Sequence, residues 1–144
     1  MDVGIWQYMT DLTNRYRTLN DHIKHSKGTK TICVTTCLNF FKIPFDAYHY
    51  TSSDRNVNTY RNVLRKFGYS VRSKKSEFGA LKYITMTKLR ANMRKSKYGK
   101  DDYFIVGGFQ SKSAHLMVLN GNGETIIDTA KGCKWRIGSV CIVE

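Results

Sequence analysis

The sequence of 144 residues is short of acidic side chains and contains no long apolar run. A membrane-spanning helix needs about 20 consecutive apolar residues, and no stretch approaches that length, so no membrane span is expected. The N-terminus carries Asp2 and lacks the small-residue cleavage site of a secretory signal. We therefore expect a cytoplasmic protein that is not secreted through a classical signal.

Internal repeats and low-complexity tracts are also absent, and no domain boundary stands out. With 144 residues and 41% apolar side chains, the chain is long enough for one hydrophobic core but short for two. Four cysteines would allow two disulfides, but a domain with a full apolar complement does not need them. The sequence predicts a single domain over residues 1–144 with reduced thiols.

The shortage of acidic residues leaves 24 Lys and Arg against 11 Asp and Glu, a formal net charge of +13. This excess favours a polyanionic partner, either nucleic acid, an acidic protein or anionic lipid, although a solvated basic surface without a partner is the simpler alternative. No familiar nucleic-acid-binding motif accompanies the charge. The candidate polyanion-binding residues lie in the middle of the chain: Lys74, Lys75, Lys88, Arg90, Arg94, Lys95 and Lys97.

The first two thirds of the chain have the three- and four-residue apolar spacing of amphipathic or buried helices. Helices are predicted over residues 1–28, 33–41, 57–67 and 88–94. Pro44 is expected to stop the second, Gly68 to close the third in a left-handed conformation, and Thr87 to cap the fourth. An extended segment is predicted to begin over residues 69–72. Residues 70–82 are the least patterned and most basic part and are predicted to form a mobile loop.

The apolar pattern changes to that of strands near residue 103. Strands are predicted over residues 103–106, 115–119, 125–128 and 140–143. The segment Asn120-Gly121-Asn122-Gly123 predicts a hairpin turn between the second and third strands. Helices followed by strands indicate an α+β fold, with N-terminal helices packed on one face of a C-terminal antiparallel sheet of about four strands.

Three residues combine into a candidate for nucleophilic catalysis. Cys33 lies in the first turn of a predicted helix, where the positive end of the helix and a nearby imidazole would favour the thiolate. His115 opens one strand, and Asp128 ends the strand paired with it through the hairpin. The two residues should therefore lie at the same end of adjacent strands, where the carboxylate can hold the ring in one tautomer.

These residues stand in short motifs that occur in a fixed order. The motifs are Ile32-Cys33-Val34-Thr35-Thr36-Cys37-Leu38, Leu64-Arg65-Lys66-Phe67-Gly68-Tyr69, Thr87-Lys88-Leu89, Tyr103-Phe104-Ile105-Val106, Ala114-His115 and Ile127-Asp128-Thr129. Over about residues 30–130 this pattern resembles the papain-like cysteine peptidase superfamily. It is most similar to small bacteriophage and bacterial proteins whose helix begins Asp-Cys-Val-x-x-Ala-Leu.

The resemblance implies a papain-like domain that acts as a cysteine hydrolase, either peptidase or isopeptidase, with a Cys33-His115-Asp128 triad. It implies a protein or peptide substrate, no cofactor and no metal. A phage origin would place the protein in the bacterial host cytoplasm or in the virion. Ile32 stands where the family has Asp, and no Gln precedes Cys33. Thr31 is the weak candidate for an oxyanion donor beside the backbone N–H of Cys33, with His25 and Asn20 as its alternatives.

The sequence leaves several alternatives open. Cys33 is also compatible with an ordinary buried thiol, and Cys37, one turn further along, is the rival nucleophile. His115 would then be structural, and Asp128 would only cap a turn. A metal site would draw on His22, His25, Cys33, Cys37, Cys133 and Cys141. Their spacing fits no compact zinc site. The alternative function is a catalytically inactive papain-like module that serves as a basic virion, nucleic-acid-associated or host-factor-binding protein.

Overall fold

The computed structural model describes residues 32–44, 57–111, 113–130 and 134–144. The chain divides into two compact units, residues 1–69 and 70–144. The described residues form three helices and a six-stranded antiparallel sheet. The predicted α+β class is confirmed, whereas the predicted number of about four strands is wrong. The predicted helix over residues 1–28 and the candidate Thr31 lie outside the described residues.

In the first unit, helix α1 (Ile32–Phe40) ends in a Schellman motif. Lys42 adopts a left-handed conformation with φ 63°, and the backbone N–H of Ile43 donates to the carbonyl of Leu38 at 3.2 Å. The middle of this helix is buried from Thr35 to Leu38, and Asn39 near its end is exposed. Its end before Pro44 agrees with the predicted stop.

Helix α2 (Val57–Lys66) ends in the same way. Gly68 has φ +95°, and the N–H of Tyr69 donates to the carbonyl of Leu64 at 3.1 Å, which confirms the predicted left-handed cap. Tyr69 also donates its hydroxyl proton to the carbonyl of Phe41 at 2.6 Å. The ends of the two helices are therefore linked within this unit.

The second unit is built on one sheet. Its elements are β1 (Val71–Ser73), β2 (Ile84–Thr85), α3 (Met86–Arg94), β3 (Tyr103–Gln110), β4 (Ser113–Asn120), β5 (Thr125–Ile127) and β6 (Arg136–Val143). The strand order is β1-β6-β3-β4-β5, and β2 pairs with the other end of the β6 edge that β1 occupies. Strands β3, β4 and β6, each eight residues long, form its centre and are longer than predicted.

One face of the sheet carries the core of this unit. Strand alternation places Phe104, Val106, Met117, Leu119, Val140 and Ile142 in a buried cluster that also includes residues from α3. Leu89 and Met93 are the α3 side chains in that cluster, and both are fully buried. Residues of the opposite face, such as Ile105 and Val118, are also fully buried. The central strands therefore read as continuous apolar runs.

Two local predictions need correction. The extended segment predicted to begin over residues 69–72 is present as β1, so the loop predicted over residues 70–82 is shorter than predicted. That loop also buries Phe78, whose ring packs edge-on against Phe104 at 5.5 Å. Helix α3 is capped by Thr85 instead of Thr87, with the Thr85 hydroxyl accepting from the N–H of Lys88 at 3.2 Å. A two-residue edge strand joined directly to a helix is too short to show the alternating pattern by which strands are recognised in a sequence.

Candidate functional site

His115 and Asp128 meet at one end of the sheet. His115 is the third residue of β4 and pairs across the strand with Gly108 of β3. Asp128 follows directly after β5, which pairs with β4 through Ile127 and Val118. The turn after Asn120 returns the chain so that Nε2 of His115 and Oδ1 of Asp128 lie 2.6 Å apart. The hairpin therefore brings this pair of predicted residues together.

The predicted turn that makes this possible is held by side-chain and backbone contacts. The side-chain oxygen of Asn120 accepts from the N–H groups of Asn122 and Glu124, each at 3.0 Å. Gly123 has φ +77°, and a Cβ there would lie 2.9 Å from the carbonyl oxygen of Arg90. Glycine is required at this position for both reasons.

The carboxylate of Asp128 is positioned by its own turn as well as by the imidazole. Its Oδ1 also accepts a hydrogen bond from the backbone N–H of Ala130 at 2.9 Å. The His115 and Asp128 side chains are 5% and 11% exposed. A charged acceptor in such a dry setting makes a strong hydrogen bond to an N–H donor. The neutral imidazole is therefore assigned its proton on Nε2, with the lone pair on Nδ1.

Trp135 completes this arrangement and was not predicted from the sequence. Its ring is stacked on that of His115, with centroids 4.7 Å apart and planes 19° from parallel. A Cβ on Gly108 would lie 2.9 Å from Cβ of Trp135, so glycine leaves room for Trp135 to approach β3 this closely. The paired glycines Gly107 and Gly108 inside an apolar strand were the available signal, since such glycines mark a close approach of another group.

The indole nitrogen of Trp135 is the next feature of this arrangement. Its Nε1 is buried and has no hydrogen-bond acceptor among the residues that the structure describes. The residue as a whole is 8% exposed. The indole covers one face of the imidazole, so the ring is fixed by a stack on its face and by a carboxylate at its edge. Both contacts hold the ring in a single orientation.

Cys33 and Cys37 lie on α1 of the other unit. Cys33 is the second residue of the helix and is half-buried, whereas Cys37 is fully buried. The first turn of α1 contains no acidic residue that would oppose a thiolate. The positive end of the helix favours the ionised form of a thiol in its first turn. Accessibility therefore favours Cys33 over Cys37 as a reactive thiol.

The candidate polyanion-binding residues have different environments. Arg90 donates from its guanidinium to the carbonyl of Gly123 and, at 2.8 Å, to the hydroxyl of Thr125, so it joins α3 to the β4–β5 hairpin. Lys74 is paired with Glu77 at 3.7 Å. Lys75 is half-buried, and the remaining members, Lys88, Arg94, Lys95 and Lys97, are exposed. Arg90 therefore has a structural role, which distinguishes it from the solvent-facing members of the set predicted from the sequence.

Within the described residues, no group of three or more His, Cys, Asp or Glu side chains is arranged to hold a metal ion. His22, His25 and Cys133 lie outside that part of the chain. No described helix is long and apolar enough to cross a membrane. Comparisons with protein-family models, with curated proteins and with solved structures find no match for this chain.

Proposed function

We propose that this chain is a papain-like cysteine hydrolase in which Cys33 is the nucleophile, His115 the general base and Asp128 the residue that orients the base. The observation that carries the proposal is the 2.6 Å contact between Nε2 of His115 and Oδ1 of Asp128. It assigns the lone pair to Nδ1, the nitrogen that would accept the thiol proton. The order of helices before an antiparallel sheet supports the papain-like assignment.

In the proposed reaction, Nδ1 of His115 takes the proton of the Cys33 thiol, and the thiolate sulfur attacks the carbonyl carbon of an amide substrate. The tetrahedral intermediate collapses as the imidazolium gives its proton to the departing amine, which leaves a thioester on Cys33. Water then attacks the thioester carbon, its proton passes to His115, and the carboxylic acid product leaves as the thiol is restored. The carboxylate of Asp128 stabilises the imidazolium formed in each half-reaction.

The proposed substrate is a protein or peptide, cleaved at a peptide or isopeptide bond. The net charge of +13 favours acidic or nucleic-acid-associated protein substrates. The backbone N–H of Cys33 is the proposed first oxyanion donor, with Thr31 as the candidate for the second.

A second candidate is a papain-like module without catalytic activity that binds a polyanion. A specific observation favours it: residues 78–100 contain seven Lys and Arg but no Asp or Glu. The two functions are distinguished by the reactivity of Cys33, which the second does not require.

The test is the pH dependence of Cys33 alkylation by iodoacetamide, followed by intact-protein mass spectrometry with peptide mapping. An ordinary thiol with a pKa near 8.5 is about 0.3% ionised at pH 6. An imidazole-paired thiol would be almost fully ionised there, but low-pKa thiolates are weaker nucleophiles. Allowing for both effects, we expect Cys33 to react about five to ten times faster at pH 6 in the native protein than in His115→Gln.

The matched control is Cys37→Ser, which removes the neighbouring thiol and should leave the pH profile of the labelled peptide unchanged. Cys33→Ser should abolish labelling at pH 6. If Cys33 titrates like an ordinary thiol and His115→Gln changes nothing, the hydrolase proposal is wrong and the second candidate is preferred. Selective labelling at Cys37 would instead identify Cys37, one helical turn further along, as the nucleophile.

A further inference from the structure

A surface of aromatic and basic side chains lies where β2, β6 and β3 meet. We call it the Tyr83 surface, and it consists of Leu81, Lys82, Tyr83, Phe109 and Arg136. Phe109 and Arg136 are directly opposite each other on adjacent strands, so their side chains share one face of the sheet. Tyr83 immediately precedes β2, the short strand that pairs with β6.

Tyr83 is held in place although half of it is exposed. Its ring packs edge-on against Phe109 with centroids 4.7 Å apart and planes at 69°. A Cβ on Gly138 would lie 3.4 Å from two carbons of the Tyr83 ring, so the ring rests against glycine backbone. Tyr83 is nevertheless 50% exposed, and the neighbouring Leu81 is 73% exposed. The result is a fixed aromatic ring that is partly open to solvent.

Two cations are close to Tyr83 in the chain or across the strands: Lys82 precedes it, and Arg136 pairs with Thr85, two residues after it. Arg136 and Lys82 are exposed, and neither has a resolved ion pair within the described part of the chain. Residues 78–100, which include β2, contain no acidic residue, so the chain is positively charged on both sides of β2. An exposed aromatic platform bordered by unneutralised cations is complementary to a ligand that has both flat apolar faces and regularly spaced negative charges.

We infer that the Tyr83 surface binds single-stranded nucleic acid, with a base stacked on Tyr83 and the adjoining phosphates on Arg136 and Lys82. Unpaired bases expose the flat faces that aromatic side chains stack on, whereas a duplex keeps those faces covered. An acidic peptide would satisfy the cations but would leave the aromatic ring without a matching face. The ring and the charges together therefore favour a single strand.

The experiment is fluorescence anisotropy of the full-length protein with labelled oligothymidylate and oligouridylate of about 15 nucleotides, a length that spans the site of a typical single-strand binder. A duplex of the same length is the competitor. Loss of one stacked base should weaken binding by about ten- to a hundredfold in Tyr83→Ala. Tyr83→Phe keeps the ring and should bind within about threefold of the native protein. Tyr83→Leu, which keeps apolar bulk without an aromatic face, should behave like Tyr83→Ala.

Phosphate contact is tested separately through salt. Between about 50 and 200 mM salt, Arg136→Gln should lower the slope of log affinity against log salt by about 0.7, the value for one phosphate contact on a single strand. Arg72→Gln makes the same change at the other end of β6, where Arg72 pairs with Ile142, and is the matched control, with no such loss expected. Thermal unfolding of each variant separates loss of binding from loss of the fold.

The inference is overturned if Tyr83→Leu binds as tightly as the native protein, if the duplex binds as tightly as the single strand, or if neither binds at low salt. Binding to anionic vesicles or to polyglutamate with no affinity for the strands would also overturn it. Cys33→Ser should bind normally, so this inference and the hydrolase proposal fail or hold separately.

Discussion

The Asp128→Ala substitution removes both hydrogen bonds that Oδ1 accepts, from Nε2 of His115 at 2.6 Å and from the N–H of Ala130 at 2.9 Å. Because the His115 and Asp128 side chains are 5% and 11% exposed, water is poorly placed to replace the lost acceptor. Hydrogen bonds to a charged group contribute about 1.5–3 kcal/mol, and an orphaned buried donor costs about as much. We expect the free energy of unfolding to fall by about 2–4 kcal/mol.

A loss of that size should lower the midpoint of thermal unfolding by about 5–15 °C, since about 1 kcal/mol corresponds to about 2–4 °C for a chain of this length. Circular dichroism melting measures it. Asp128→Asn is the matched variant, because its amide oxygen can accept both hydrogen bonds and only the charge is lost. It should cost less than half as much.

The same two variants separate orientation from charge in the alkylation assay. Asp128→Ala should reduce the rate of Cys33 alkylation at pH 6 to that of His115→Gln. The rate in Asp128→Asn should lie between that value and the native rate. The reasoning is refuted if both variants are equally destabilised and both keep native alkylation. In that outcome, Asp128 would be a turn residue with no influence on the imidazole.

Three further predictions concern the frame around the site. Arg90→Gln should lower the free energy of unfolding by about 1.5–3 kcal/mol in urea titration, because the guanidinium bonds to the hairpin are lost, whereas the exposed Arg94→Gln should cost less than about 0.5 kcal/mol. Gly123→Ala should cost about 1–3 kcal/mol in the same titration, since φ +77° is strained for alanine and its Cβ would meet Arg90. Desolvation and the hydrogen bond to Glu77 raise the pKa of Tyr98 above its ordinary value of 10.0. The resulting stabilisation is complete below pH 10 and is lost as pH rises through the raised pKa, so Tyr98→Phe should flatten the alkaline fall in melting temperature.

The sequence predicted those parts of the site that follow from local rules. The turn from Asn120 to Gly123 implied a hairpin, and a hairpin with known strand ends places His115 beside Asp128. Gly68 likewise predicted a left-handed helix end from its own conformational freedom. In each case a few neighbouring residues determine the geometry, so no knowledge of distant contacts is needed.

Features that depend on distant residues were missed. The Trp135 stack joins residues 20 positions apart, and it depends on the space left by Gly108 on a third strand. Composition does not distinguish Arg90 from the solvent-facing cations, because it counts charges and does not show their hydrogen-bond partners. Strand β2 has only two residues, and its pairing with β6 is a tertiary contact. A pattern based on spacing cannot report contacts of this kind.

The two proposed sites share one end of the sheet and lie on its opposite faces. Gly108 pairs with His115 and approaches Trp135, while the next residue, Phe109, pairs with Arg136 and contacts Tyr83. Successive residues of a strand point to opposite faces, so the two sets of side chains are separated by the thickness of the sheet. Substitutions that share no partner are additive in their effects on stability. Combining Tyr83→Leu with Asp128→Asn should therefore give the sum of the single effects, and a large departure from additivity would show that the sheet end moves as one unit.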